Sequence, residues 1–191
     1  MKNSLKHRFL LGAPTLPGEF GKSVLFVFEH GKQGAMGVAL NRPSACKCPH
    51  CTGTPFKLNI GGPMSTDGAI FLLHGNEDLA ENSIKIMDGF YIGQDSCVEN
   101  MLEKPKDDQV CFFISGFCPW QSGQLESELA NNFWTVLDKV DADDIFHIDL
   151  DYMWENLVEK HKVQFKPVID NTLQYRPKQA KPSPRAGFSS N

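Results

Sequence analysis

The sequence predicts an α+β fold: a single compact domain on a strongly curved, mainly antiparallel β-sheet, barrel-like, flanked by short helices. Three observations lead there. Short apolar runs rich in β-branched and aromatic residues recur between Val24 and Leu137. The connections between them are mostly short, which suits antiparallel neighbours better than parallel crossovers. Helical patterns are few and irregularly interleaved with the strands, unlike a doubly wound fold. The 191 residues, 41% hydrophobic and 22% charged, can bury one sizeable core.

The frame is Ser23–Pro43, SVLFVFEHGKQGAMGVALNRP. Val24–Phe28 is apolar at consecutive positions, as in a central strand buried on both faces. A polar link, His30–Gly34, joins it to Ala35–Leu40, so the pair predicts a hairpin with a longer loop. Gly31 and Gly34 sit where positive φ is expected. Arg8–Ala13 is a short strand, and Pro14 and Pro17 keep the chain irregular up to Lys22. Ser44–Asn59 has three Cys, two Pro and no periodicity, so it reads as a loop insertion. Ile60-Gly61-Gly62-Pro63 is a tight turn. Ala69–His74 is a buried strand. Ile84/Ile86 and Phe90/Ile92 form a hairpin through Asp88-Gly89. Asp95 or Ser96 starts a short helix with Val98, Met101 and Leu102 on one face. Val110–Ile114 is a fourth buried strand. Ser122 is placed as the N-cap of a helix carrying Leu125 and Leu129. Phe133–Leu137 is the last strand. Asp151–His161 is a helix with Met153, Trp154, Leu157 and Val158 inward. The domain is expected to span residues 1–165, with 166–191 an extended basic tail.

Charge is uneven. The formal balance is −4, yet Arg176–Asn191 carries four bases and no acid, while Asp138–Glu159 carries eight acids against one Lys. An acidic body repels phosphate, which disfavours direct, sequence-specific DNA binding through the core. The apolar run near the N-terminus, Phe9–Leu11, is too short for a signal-peptide core, and no run approaches the roughly 18–20 residues that span a bilayer. A cytoplasmic location without membrane contact is expected, and there the six Cys read as thiols or metal ligands rather than disulfides.

Several blocks, taken together, resemble the YqgE/AlgH family of bacterial proteins. They are Gly12-Ala13-Pro14, FEHGKQGAMGVALNRP (Phe28–Pro43), IGGPM (Ile60–Met64), FLLHG (Phe71–Gly75) and DGFYIGQD (Asp88–Asp95). GFCPWQSGQLESELANNFW (Gly116–Trp134) and DYMWENL (Asp151–Leu157) follow in the same order. The resemblance covers roughly residues 8–160. It implies a compact α+β domain with a strongly curved β core, and it carries the label of transcriptional regulator without an attached enzymatic activity or a DNA-binding motif. The Cys-rich Ser44–Asn59 segment and the chain beyond about residue 165 lie outside the shared pattern.

Two groups of residues are candidates for chemistry. Cys46, Cys48, His50 and Cys51 are zinc-type ligands, but they are adjacent, so a fourth ligand such as Cys118 or one from a second chain would have to complete a tetrahedron. The inner Cys48–Cys51 pair also has redox-dithiol spacing, without the helix that lowers a thiol pKa. An incidental surface loop is the plain alternative. The second group is Glu29, His30, Asn41, Arg42, His74, Trp120 and Gln124, placed at strand ends and a helix start, where ligand sites form. A helix N-terminus near Gly123, assisted by Arg42, could hold an anion. The plain alternative makes Glu29–Arg42 an ion pair across the hairpin, Asn41 a turn former and His74 a satisfied core histidine. No nucleophile–base–orienter set is visible. The sequence therefore points to a non-enzymatic regulatory or binding protein acting through a protein or small-molecule partner. The alternative is a metal- or thiol-dependent protein or enzyme using the Cys46–Cys51 loop or the Glu29/His30/Arg42/His74 cluster.

Overall fold

The Phe-rich run becomes the middle of a sheet because it is apolar on both faces. The structure, a computed structural model, describes residues 4–44, 57–64, 70–75, 83–93 and 111–169. Its strands are β1 (Arg8–Gly12), β2 (Val24–Gly31), β3 (Gly34–Ala39), β4 (Lys57–Ile60), β5 (Ile70–His74), β6 (Ser83–Met87), β7 (Phe90–Gly93), β8 (Cys111–Ser115), β9 (Cys118–Gln121) and β10 (Trp134–Leu137). The helices are α1 (Gln124–Ala130), α2 (Asp143–Phe146) and α3 (Met153–Lys160), with a 3-10 turn at Gly18–Phe20.

The curved sheet does not close into a barrel. The strands form two five-stranded sheets, ordered β10-β1-β2-β3-β9 and β4-β8-β5-β7-β6. Every pairing is antiparallel except β4 with β8. The first sheet has both faces covered. Phe9, Leu11, Val24, Phe26, Val38 and Leu40 face the larger core, which β5, β7, β8, α2 and α3 complete. Leu10, Leu25, Val27, Ala35 and Ala39 face a second core closed by Trp120, Leu125 and Trp134. The second sheet and the two C-terminal helices cover one side of β2, and Trp120, Leu125 and Trp134 cover the other, without barrel closure.

The β2–β3 hairpin is as expected, but tighter. Its ladder runs to Gly31 opposite Gly34, so the turn is only Lys32-Gln33, and a bulge lies between Val27 and Glu29. Of the two bracketing glycines, Gly34 alone has positive φ, at 126°. A Cβ there would also strike the Trp120 carbonyl on β9. The Gly61-Gly62 turn has a second reason for small residues. It runs against Gly116-Phe117, where a Cβ on Gly62 would meet Phe117 backbone.

Other expectations shift by a residue or two at element ends. β4 is a correction: it lies at the end of the segment read as loop, and it pairs in parallel with β8. β9 and the one-turn α2 were also not anticipated. Ser122 does not cap α1. Its Oγ donates to the Lys32 carbonyl at 2.8 Å, and left-handed Gly123 (φ 76°) precedes the helix without a side-chain cap. The helix expected near residues 95–102 lies outside the described residues. After α3 the chain runs as a strap: Phe165 stacks on Trp154, and Ile169 N–H donates to the Asn131 carbonyl. Among the described residues no helix is long and apolar enough to cross a membrane.

Candidate functional site

The seven polar candidates separate into four groups, each tied to a different part of the frame. Glu29 and His30 hold the N-terminal segment. Lys6 Nζ donates to Glu29 at 3.0 Å, and this bond and charge hold the Glu29 carboxyl below its usual range. Leu5 N–H donates to His30 Nδ1 at 3.1 Å. Nδ1 is therefore the acceptor, the ring proton sits on Nε2, and Nε2–H points at Glu126 Oε1, 3.1 Å away on α1.

Asn41 and Arg42 sit at the far end of the hairpin. Asn41 accepts from Val24 N–H at 2.8 Å and donates to the Lys22 carbonyl at 2.9 Å, which pins the entry of β2 to the exit of β3. Arg42 does not pair with Glu29. Its Nη2 bonds Glu19, and its guanidinium lies 5.8 Å from the Phe20 ring centre. Its Nη1 is buried without a hydrogen-bond partner. The Glu29–Arg42 ion pair is thus replaced by two separate pairs, because the hairpin carries the two residues to opposite ends of the ladder.

His74 is a buried histidine at the end of β5. Its Nε2 lies 2.8 Å from Ser83 Oγ, and its ring stacks on Tyr91 at 5.4 Å. Trp120 and Gln124 meet on Glu128, a residue the sequence reading did not single out. Trp120 Nε1–H and Trp134 Nε1–H both donate to Glu128 Oε2, at 2.8 and 2.7 Å, and Gln124 Nε2 donates to Oε1 at 2.9 Å. Gln124 Oε1 in turn accepts from Gln121 N–H. Gln124 and Glu128 are one helical turn apart, so half of this network was visible as i,i+4 spacing. Trp134 depends on the β1–β10 pairing, which no local pattern reveals. The proposed anion site does not assemble: Arg42 is taken by Glu19, and the first turn of α1 carries Glu126, which faces His30.

Cys46, Cys48, His50 and Cys51 lie outside the described residues. Cys118, suggested as their supplement, donates its thiol to the Gly61 carbonyl at 3.3 Å, and burial pushes its pKa to about 12. That favours a protonated core thiol over a thiolate ligand. Among the described residues no three His, Cys, Asp or Glu side chains are grouped to hold a metal.

Two features remain. A cleft of about 340 Å³ between α2 and α3 is lined by Asp144, Ile148, Asn156, Leu157, Glu159 and Lys160. Its floor is internally paired, since Lys160 Nζ bonds both Asp144 oxygens at 2.6 and 2.8 Å. The other is an apolar strip. Met36 lies directly opposite Pro119, and Met64 directly opposite Phe117, two residues earlier in the same extended run. Paired residues and i,i+2 neighbours project to one side of a sheet, so these four share a face. Met36 is 38% and Met64 43% exposed, and Pro119 is exposed. The strip continues the larger core outward. Val38, two residues from Met36, lines a narrow crevice between the sheets with Phe26, Phe28, Leu72, Leu73, Ile92 and Ile114.

Known proteins of this kind exist. A family model described as AlgH-like (DUF179) matches residues 9–166. A UPF0301 protein of Yersinia enterocolitica is 30% identical over 173 residues, covering 82% of this chain and 91% of its own. A UPF0301 protein of Chlorobium limicola is 30% identical over 169 residues, covering 85% and 89%. Two solved structures share the fold. One is the AlgH protein from Pseudomonas aeruginosa, with TM-score 0.65, 23% identity and coverage of 86% and 92%. The other is a protein from Corynebacterium diphtheriae, with TM-score 0.64, 22% identity and coverage of 88% and 91%.

Proposed function

The chain belongs to the AlgH-like family, and on that premise we propose that it is a regulatory binding protein of the cytoplasm whose partner is another protein. The observation that carries this reading is the Met36–Pro119–Phe117–Met64 strip. Apart from the unpartnered Arg42 Nη1, the polar candidates direct their hydrogen bonds to the frame, whereas the strip leaves large apolar side chains at the surface beside an inter-sheet crevice. Exposed apolar groups gathered on one face mark protein contacts, and thioethers adapt to varied partner shapes. A regulator label fits indirect action through a protein, because the acidic Asp138–Glu159 region opposes phosphate contact.

Site-specific photocrosslinking in the producing cells tests the reading. A benzophenone side chain at Pro119, which removes no backbone N–H, should yield a discrete protein adduct. The same group at Tyr152, 63% exposed at the start of α3, should not. Met64→Lys should reduce the Pro119 adduct at least about tenfold, as a charge placed in an apolar contact does. Equal adducts at both positions, or none at Pro119, would overturn the proposal.

The alternative, metal- or thiol-dependent chemistry, rests on the Cys46–Cys51 sequence alone and is tested below by metal content.

A further inference from the structure

We propose that Met36 and Met64 form an oxidation-sensitive pair, and that converting their thioethers to sulfoxides with a hydroperoxide-class oxidant switches the strip from apolar to polar. This deepens the protein-docking reading of the strip and rests on it. An oxidant reaches exposed sulfur atoms first. Met153 is fully buried in the larger core, and Met87 is half-buried against it. Met36 and Met64 are the methionines among the large apolar side chains that stand exposed in the described residues. Cys111 and Cys118 are buried, and the Cys118 thiol stays protonated. A hydroperoxide reacts with thiolate or exposed thioether, so among the described sulfur atoms the two strip methionines are the favoured targets.

The step is balanced. The peroxide O–O bond breaks and an S–O bond forms. Sulfur loses two electrons, and the peroxide is reduced to water or, from an organic hydroperoxide, to the alcohol. Each product is a polar, chiral sulfoxide where an adaptable apolar group stood. Because Met36 and Met64 flank Phe117 and Pro119 on one face, two such changes alter both ends of one surface. The frame loses nothing, since neither side chain belongs to either core. Oxidation is therefore expected to change docking while leaving the fold intact, and methionine sulfoxide reductases can reverse it.

The test uses the full-length native chain and hydrogen peroxide. Site-resolved mass spectrometry should show Met36 and Met64 gaining oxygen at least about tenfold faster than Met153, with the thermal midpoint unchanged. The Pro119 crosslinked adduct should then fall at least about tenfold and return after treatment with the two stereospecific reductases. In Met36→Leu/Met64→Leu protein the adduct should persist through peroxide. Equal oxidation of Met36, Met64 and Met153 would overturn the proposal. So would selective oxidation that leaves the adduct unchanged, and in that case docking at the strip stands. Selective oxidation in a protein that gives no Pro119 adduct before peroxide would overturn the docking reading and the switch together.

Discussion

Glu128→Ala should be among the most damaging single changes to a half-buried carboxylate in this protein. In the native fold one oxygen accepts two indole N–H groups, from Trp120 on β9 and Trp134 on β10, and the other accepts the Gln124 amide. The two tryptophans are only 7% and 6% exposed, so their N–H groups would find little water once the acceptor is gone. Each stranded buried donor costs about 1–3 kcal/mol. Gln124 is half-buried and can rehydrate, so the two indoles dominate and the loss comes to about 4 kcal/mol. Measured against a typical total of about 5–15 kcal/mol, that is a large fraction. For a chain of this size it should lower the thermal midpoint by roughly 8–16 °C. Glu128→Gln keeps a carbonyl that can serve both indoles, and should cost less than about 1.5 kcal/mol. Urea denaturation followed by tryptophan fluorescence measures both variants. If Ala and Gln agree within about 0.5 kcal/mol, the shared acceptor does not hold the strands.

Three further expectations follow from other parts of the chain. Gly62→Ala should destabilise by several kcal/mol or abolish folding, since its Cβ meets Phe117 backbone, whereas Gly31→Ala has open space and should be neutral within about 0.5 kcal/mol by the same denaturation assay. Lys6 depresses the Glu29 pKa, so the pair's contribution is present above pH about 4.5 and is lost as pH falls through the lower folded value; wild type and Glu29→Gln should converge in stability at acid pH and in high salt. For the Cys-rich segment, metal analysis of protein purified without chelator should give about one zinc per chain, lost in Cys48→Ser, if Cys46, Cys48, His50 and Cys51 are ligands; a metal-free protein with freely reactive thiols would end the zinc reading.

What the sequence revealed depended on where each element draws its stability. The β2–β3 and β6–β7 hairpins were legible because their signals are local: apolar runs either side of a short polar or Asp-Gly turn. β4 was not: Lys-Leu-Asn-Ile alternates polar and apolar, but four residues at the end of a Cys- and Pro-rich segment are too short a run to stand out, and the parallel partner β8 is distant in sequence. β9 was hidden by Pro119, which is tolerated there because β9 is the edge strand of the first sheet, paired within it to β3. Barrel closure was a natural misreading. Consecutive apolar positions in β2 require cover on both faces, but they do not say whether one curved sheet or two layers provide it. The partners of the polar candidates were not legible. Glu19, Glu126 and Glu128 look like ordinary surface acids in the sequence, and only the tertiary arrangement turns them into acceptors for Arg42, His30 and the two indoles.

The division of labour inside the motif blocks narrows where function can lie. Phe28–Pro43 supplies His30 to the N-terminal segment and Asn41 to the hairpin base. Gly116–Trp134 supplies both indoles, Gln124 and Glu128 to one network. Ile60–Met64 supplies the glycines that let two strands approach. Those residues would be demanded by the frame whatever the protein did. Met36, Pro119 and Met64 sit in the same three blocks and are demanded by nothing in the frame: none contributes to either core, and each leaves apolar surface in water. Three separate segments that the fold brings together contribute these exposed apolar groups to one face, and that face is the surface the proposed protein contact would use.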